Sequence, residues 1–150
     1  MIIADTGFWL ALANRKDQYH QLANRKLNQL KESLITTHPV ITETCYLLLD
    51  RLGNYAQCNF IKMWDAGAFQ VFDLKQSHAK RINELMEKYA DLPMDLADAS
   101  LIILSEHLGH GRILTVDQNV TMKLTVKSKV DAEGKLSLQL PQQMARRTFN

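Results

Sequence analysis

Three prolines, six glycines and two cysteines are few for 150 residues, and each scarcity excludes something. The glycines form no GxGxxG and no GxxxxGK[ST], so no backbone loop is set up to cradle a nucleotide's phosphates. Cys45 and Cys58 lack CxxC spacing, which removes a zinc ribbon and a disulfide framework. Both fall in helical patterns, where a free cysteine is usually a small buried hydrophobe, and that fits a reducing cytoplasm. The five histidines, at 20, 38, 78, 107 and 110, show no HxxxH or HxH spacing, which argues against histidine-bound zinc. No serine lies in a nucleophile-elbow sequence. No apolar run is long enough to span a membrane. The start MIIADTGFWLALANRKD has no basic segment ahead of its apolar residues, and Asp5 interrupts them. It reads as a buried strand running into a helix rather than a secretory leader. Aromatics are 7% of residues, and Phe8, Trp9 and Trp64 fit apolar helical faces, so core packing is their expected role.

What is present is an apolar pattern with regular punctuation. The chain is 46% hydrophobic, enough for one domain with a real core. Ile2-Ile3-Ala4, Leu34-Ile35-Thr36-Thr37, Phe69-Gln70-Val71-Phe72 and Arg112 to Val116 read as short strands buried on both faces. Between them lie helical patterns over Phe8 to Ala13 and roughly 18–32, the latter capped by Asp17 with Leu22, Leu27 and Leu30 inward. A third begins near Pro39 and ends at Leu52 before Gly53. Asn54 caps a fourth, ending near Gly67, and a fifth runs from Ser77 to Ala90. After Pro93, Asp95 is placed to cap a very apolar helix over Leu96 to Leu108. Two helices between successive strands predict a three-layer α/β/α sandwich with a mainly parallel central sheet.

Charge is uneven. Residues 1–122 balance at −2 and residues 123–150 at +4, within a net +2. The expected division is therefore a domain over 1–122 and a basic C-terminal extension over 123–150. In that extension Asp131-Ala132-Glu133-Gly134 could turn a β-hairpin, with the rest a flexible tail. A basic segment of this kind can contact phosphates or an acidic partner.

Four acids carry the chemistry. Asp5 and Asp117 end strand-like runs; Glu43 and Asp98 sit near the starts of apolar helices that follow strands. Open parallel sheets bind ligands beyond the carboxyl ends of their strands, which would bring all four to one edge. Glu43 shares a helical face with Val40 and Leu47, and Asp98 with Leu101, Ile102 and Ser105; carboxylates on apolar faces need a reason. Gathered carboxylates repel one another and are costly to bury unless a cation neutralises them. Oxygen-only ligands favour Mg²⁺ or Mn²⁺. With no other nucleophile in view, metal-assisted hydrolysis of a phosphodiester is the expected chemistry. Thr6 and Thr115, beside the acids, are placed to orient a carboxylate or merely to cap strand ends, and Asp95 is a supporting residue.

The same residues resemble a PIN domain, and more narrowly a VapC-type toxin. IIADTGFWLAL resembles the family's first motif with Asp5 at its acid, TTHPVITETCYLLL the second with Glu43, MDLADASLIILSEHLG the third with Asp98, and RILTVDQNV the fourth with Thr115 and Asp117. The resemblance covers roughly 1–122. It implies a Mg²⁺- or Mn²⁺-dependent endoribonuclease, a homodimer, and a cognate antitoxin that fills the active-site groove. Val120 stands where the family often has Phe, and the basic extension runs past the usual family end. The competing readings are a PIN nuclease in RNA processing and a non-catalytic RNA- or protein-binding module.

Overall fold

The computed structural model describes residues 1–92 and 94–116, and the backbone of 128–130 and 136–138. Strands β1 (Ile2–Ala4), β2 (Leu34–Thr37), β3 (Phe69–Phe72) and β4 (Ile113–Leu114) form one sheet in the order β3-β2-β1-β4. Every pairing is parallel, with Ile3 of β1 opposite Ile35 on one side and Ile113 on the other. β1 is thus central, and its Ile2, Ile3 and Ala4 are all buried, as an apolar run without alternation requires. Helices α1 (Thr6–Ala13), α2 (His20–Gln29), α3 (His38–Leu52), α4 (Asn54–Asp65), α5 (Ala79–Lys88) and α6 (Leu96–Leu108) connect the strands. Strand order reverses after β3, so right-handed crossovers put α1 to α4 on one face and α5 and α6 on the other. Most of the helix packing agrees: α1 lies on α2 and α3, α3 on α4, and α5 on α6, while α6 also meets α3. The α/β/α expectation is met.

The larger core centres on β1, β2 and α1. Its aromatic knot is Trp9, Phe60 and Phe69, with ring centroids 4.7 to 5.4 Å apart. Offset and edge contacts of this kind add to the area the rings bury. A smaller cluster of Leu85, Ile102 and Ile103 joins α5 to α6. At the amino-terminal edge of the sheet, Arg112 makes a fork to Glu32 (2.6 and 2.7 Å), and Glu32 also accepts from the N-terminal ammonium at 2.9 Å. Those two cations hold the Glu32 carboxyl at about 2, Arg112 acting most strongly.

Local differences from the sequence reading have local causes. α1 starts at Thr6, two residues earlier than expected, because Asp5 caps it: the Phe8 amide donates to Asp5 Oδ1 at 2.8 Å. Asp17 does not cap α2; it accepts from the Tyr19 amide in an Asx turn, and the helix begins at His20. Asn54 is not a cap either. Gly53, at φ +84°, ends α3 and opens α4 at once, a backbone angle that favours glycine. A 3-10 turn over Gln76–His78 precedes α5, which shortens the expected helix. Trp64 is not core: it is partly exposed, its ring edge-on to His38. Phe8 and Trp9 are buried as expected, and Leu22, Leu27 and Leu30 lean on the main core. In the basic extension, strands β5 (Ser128–Val130) and β6 (Leu136–Leu138) pair antiparallel, as the turn signal at 131–134 predicts. Val120 and the remainder of the extension, residues 123–127, 131–135 and 139–150, lie outside the described residues.

Candidate active site

The carboxyl ends of β1 and β4 meet at the point where strand order reverses, the usual ligand edge of an open α/β sheet. Asp5 is the first residue past β1. Its amide continues the ladder to the Leu114 carbonyl at 3.2 Å, and its side chain is 2% exposed. The Thr115 hydroxyl, one residue past β4, donates to Asp5 Oδ2 at 2.5 Å. With the Phe8 amide on Oδ1, both carboxylate oxygens are held and the side chain is locked in one orientation. Asp5 is therefore the cap of α1 as well as a candidate ligand.

Glu43 reaches the same edge from the second turn of α3. Its Oε2 accepts from the Thr6 hydroxyl, so β1–α1 holds two acids through adjacent residues. Glu43 is half-buried, beside buried Val40 and half-buried Leu47. Asp98 lies in the first turn of α6, 9% exposed, on one face with buried Leu101, Ile102 and Ser105. Asp95 caps that helix, its Oδ1 accepting from the Asp98 amide at 2.8 Å. An acid in a first turn also gains from the helix macrodipole. The start of α6 is fixed to the end of β2 by a buried pair: Ser100 Oγ donates to the Ala97 carbonyl at 2.7 Å, so the Thr37 hydroxyl donates to Ser100 Oγ at 2.6 Å. Sequence reading missed this bracket; its signal is two small hydroxyls on otherwise apolar, buried segments.

The structure thus brings Asp5, Glu43 and Asp98 to one edge of the sheet, with Thr6, Thr115 and Asp95 as their hydrogen-bond supports. Asp117, two residues beyond Thr115, lies outside the described residues. Among the described residues no three His, Cys, Asp or Glu side chains close around one point as a ready-made cation site. The donors at the edge are nonetheless all hard oxygens, two of them on buried carboxylates, and that chemistry fits Mg²⁺ or Mn²⁺. Beside Glu43 opens a groove of about 720 Å³, walled by His38 and Tyr46 of α3, Asp73 after β3, and Asp95 and Leu96 at the start of α6.

The family model for the PIN domain matches residues 2–123. The chain belongs to the PIN domain family. This PIN domain is 23% identical over 117 residues to ribonuclease VapC26 of Mycobacterium tuberculosis, a match covering 78% of this chain and 87% of the relative. Its fold superposes with a TM-score of 0.73 on VapC20 of Mycobacterium tuberculosis, a toxin that cleaves the sarcin–ricin loop. That match has 23% identity and covers 79% of this chain and 92% of the other.

Proposed function

We propose that this PIN domain is a divalent-metal-dependent endoribonuclease, hydrolysing RNA phosphodiester bonds as the toxin of a toxin–antitoxin pair. The observation that carries the reading is the coupled pair at the sheet's switch point. Asp5 is locked by Thr115 and Phe8, and Glu43 is held by Thr6, within a family whose similar members include a ribonuclease.

Asp5, Glu43, Asp98 and Asp117 would hold Mg²⁺ or Mn²⁺. When bound, the ion polarises the phosphoryl oxygen, lowers the pKa of water and stabilises charge on the leaving oxygen. The chain's own residues supply the rest. Thr115 and the Phe8 amide keep Asp5 in one rotamer, and Thr6 does the same for Glu43. The capped start of α6 presents Asp98 with the positive end of a helix behind it. One carboxylate of the set also orients the attacking water.

The partners proposed are RNA, a cognate antitoxin and a second copy of the chain. Exposed Leu49 and Leu52 of α3 and Ile61 and Met63 of α4 supply apolar surface for a homodimer. The basic stretch 123–150 would contact RNA phosphates or the antitoxin. The compartment proposed is the cytoplasm, where the free thiols of Cys45 and Cys58 would persist.

The test is cleavage of a mixed RNA pool by the purified chain in Mg²⁺, in Mn²⁺ and in EDTA, beside Glu43→Gln and Asp117→Asn. Metal-dependent cutting lost in both variants supports the reading. Cutting that survives EDTA, or survives both substitutions, removes it.

A further inference from the structure

The groove beside Glu43 has walls that the hydrolysis of a phosphodiester does not require. His38, the first residue of α3, pairs with Asp73 across the end of β3, Nδ1 to Oδ1 3.1 Å. The same ring meets Trp64 edge-on, centroids 5.6 Å apart. Ring and carboxylate together fix one wall. Tyr46 is 59% exposed and Leu96 48% exposed, large apolar surfaces that the core does not use. Tyr46 stands three residues after Glu43, on the same side of α3, so the groove is continuous with the candidate active edge. The charged lining is acidic: Glu43, Asp73 and Asp95. Away from Glu43, whose charge the proposed ion would offset, the Asp73 carboxylate makes this wall repel phosphate, so the strand's backbone is not what the wall receives. It accepts hydrogen bonds, and beside it lie an aromatic ring and an aliphatic side chain. That combination matches a nucleobase, whose face stacks on aromatic rings and whose edge carries N–H donors.

We propose that this groove takes an unstacked base adjacent to the scissile phosphate and selects bases with an amino group on the Watson–Crick edge, guanine above all. Guanine offers two parallel N–H donors to a carboxylate. Uracil offers one N–H between two carbonyls, which an acidic wall repels. Tyr46 and Leu96 give the stacking surface and Asp73 the edge contact. The inference rests on the ribonuclease reading for its placement beside a scissile phosphate, while the binding itself can be measured without catalysis.

The experiment titrates guanosine and uridine into the full chain in EDTA. Its readout is quenching of Trp64, since Trp9 is buried at 2% exposure. Guanosine is expected to bind about tenfold tighter than uridine, with Tyr46→Ala weakening guanosine about tenfold and Asp73→Asn erasing the difference. Both side chains are exposed, so the variants are expected to fold, which circular dichroism checks. Equal affinity for the two nucleosides, or a Tyr46→Ala variant that binds guanosine as the parent does, overturns the proposal. A second arm compares cleavage, with Mg²⁺, of RNAs carrying G or U on either side of the cut. Cleavage indifferent to that base overturns the base site and leaves the nuclease standing. Nucleoside discrimination in a chain that cuts no RNA does the reverse.

Discussion

Asp5 carries two separable duties, and two substitutions separate them. Asp5→Ala removes the cap of α1, the Phe8 amide bond at 2.8 Å, and the acceptor of the Thr115 hydroxyl. Losing an N-cap costs about 1 kcal/mol, and a part-buried hydroxyl left without its acceptor about another 1. A total of about 2 kcal/mol should lower the melting temperature of a domain this size by roughly 6–8 °C. Asp5→Asn behaves differently. Asparagine caps helices as well as aspartate does, so its Oδ1 keeps the Phe8 amide. Its Nδ2 becomes a donor, and the Thr115 hydroxyl turns to accept. Either substitution removes one of several like charges and relieves the same repulsion, so the capping loss is read as the difference between the two variants. Asp5→Asn should therefore melt at or slightly above the parent temperature. Both variants should lose RNA cleavage by at least about a hundredfold, because neither offers a carboxylate at the switch point. Thermal unfolding by circular dichroism and cleavage of a mixed RNA pool in Mg²⁺ are the paired assays. An Asp5→Asn variant that cuts at the parent rate would refute the active-site reasoning. An Asp5→Ala variant that melts with Asp5→Asn would refute the capping argument independently.

Ser100→Ala leaves the Thr37 hydroxyl buried without its acceptor, which should cost about 1–3 kcal/mol in denaturant unfolding and lower cleavage by displacing the start of α6. Full activity with unchanged stability would remove the bracket from the argument. Glu32 is depressed from about 4.5 to about 2 by Arg112 and the N-terminal ammonium, so its contribution is present above 4.5 and lost as pH falls toward 2. Glu32→Gln should be less stable than the parent at neutral pH, and the gap should close across that window; a gap constant with pH refutes the linkage. Deleting 123–150 should weaken RNA binding most at low salt and flatten its salt dependence, read by filter binding across ionic strengths; unchanged low-salt affinity excludes the extension from RNA contact.

Much of the fold was legible because short-range rules govern it. β-branched apolar runs marked β1 and β2, Gly53 marked the end of α3, and Asp95 capped α6 as its place before Leu96 predicts. The misreadings were also short-range. Asp17 and Asn54 are residues suited equally to caps, turns and first-turn positions, and the sequence alone does not rank those uses. Trp64 read as core because helical periodicity reports a face and not what covers it.

The sequence by itself determined the element order, the parallel α/β class and the acidic residues that end strands or open helices, since periodicity and capping are encoded within a few residues. Only the tertiary structure decided that β4 lies beside β1, which lets Thr115 hold Asp5 from 110 positions away. It also decided that Thr6 holds Glu43, that Thr37 and Ser100 bracket α6, and that His38, Tyr46, Asp73 and Leu96 enclose one groove. Those contacts depend on which strands pair and which helix faces meet, and that choice is made by burial of the whole core rather than by any local pattern.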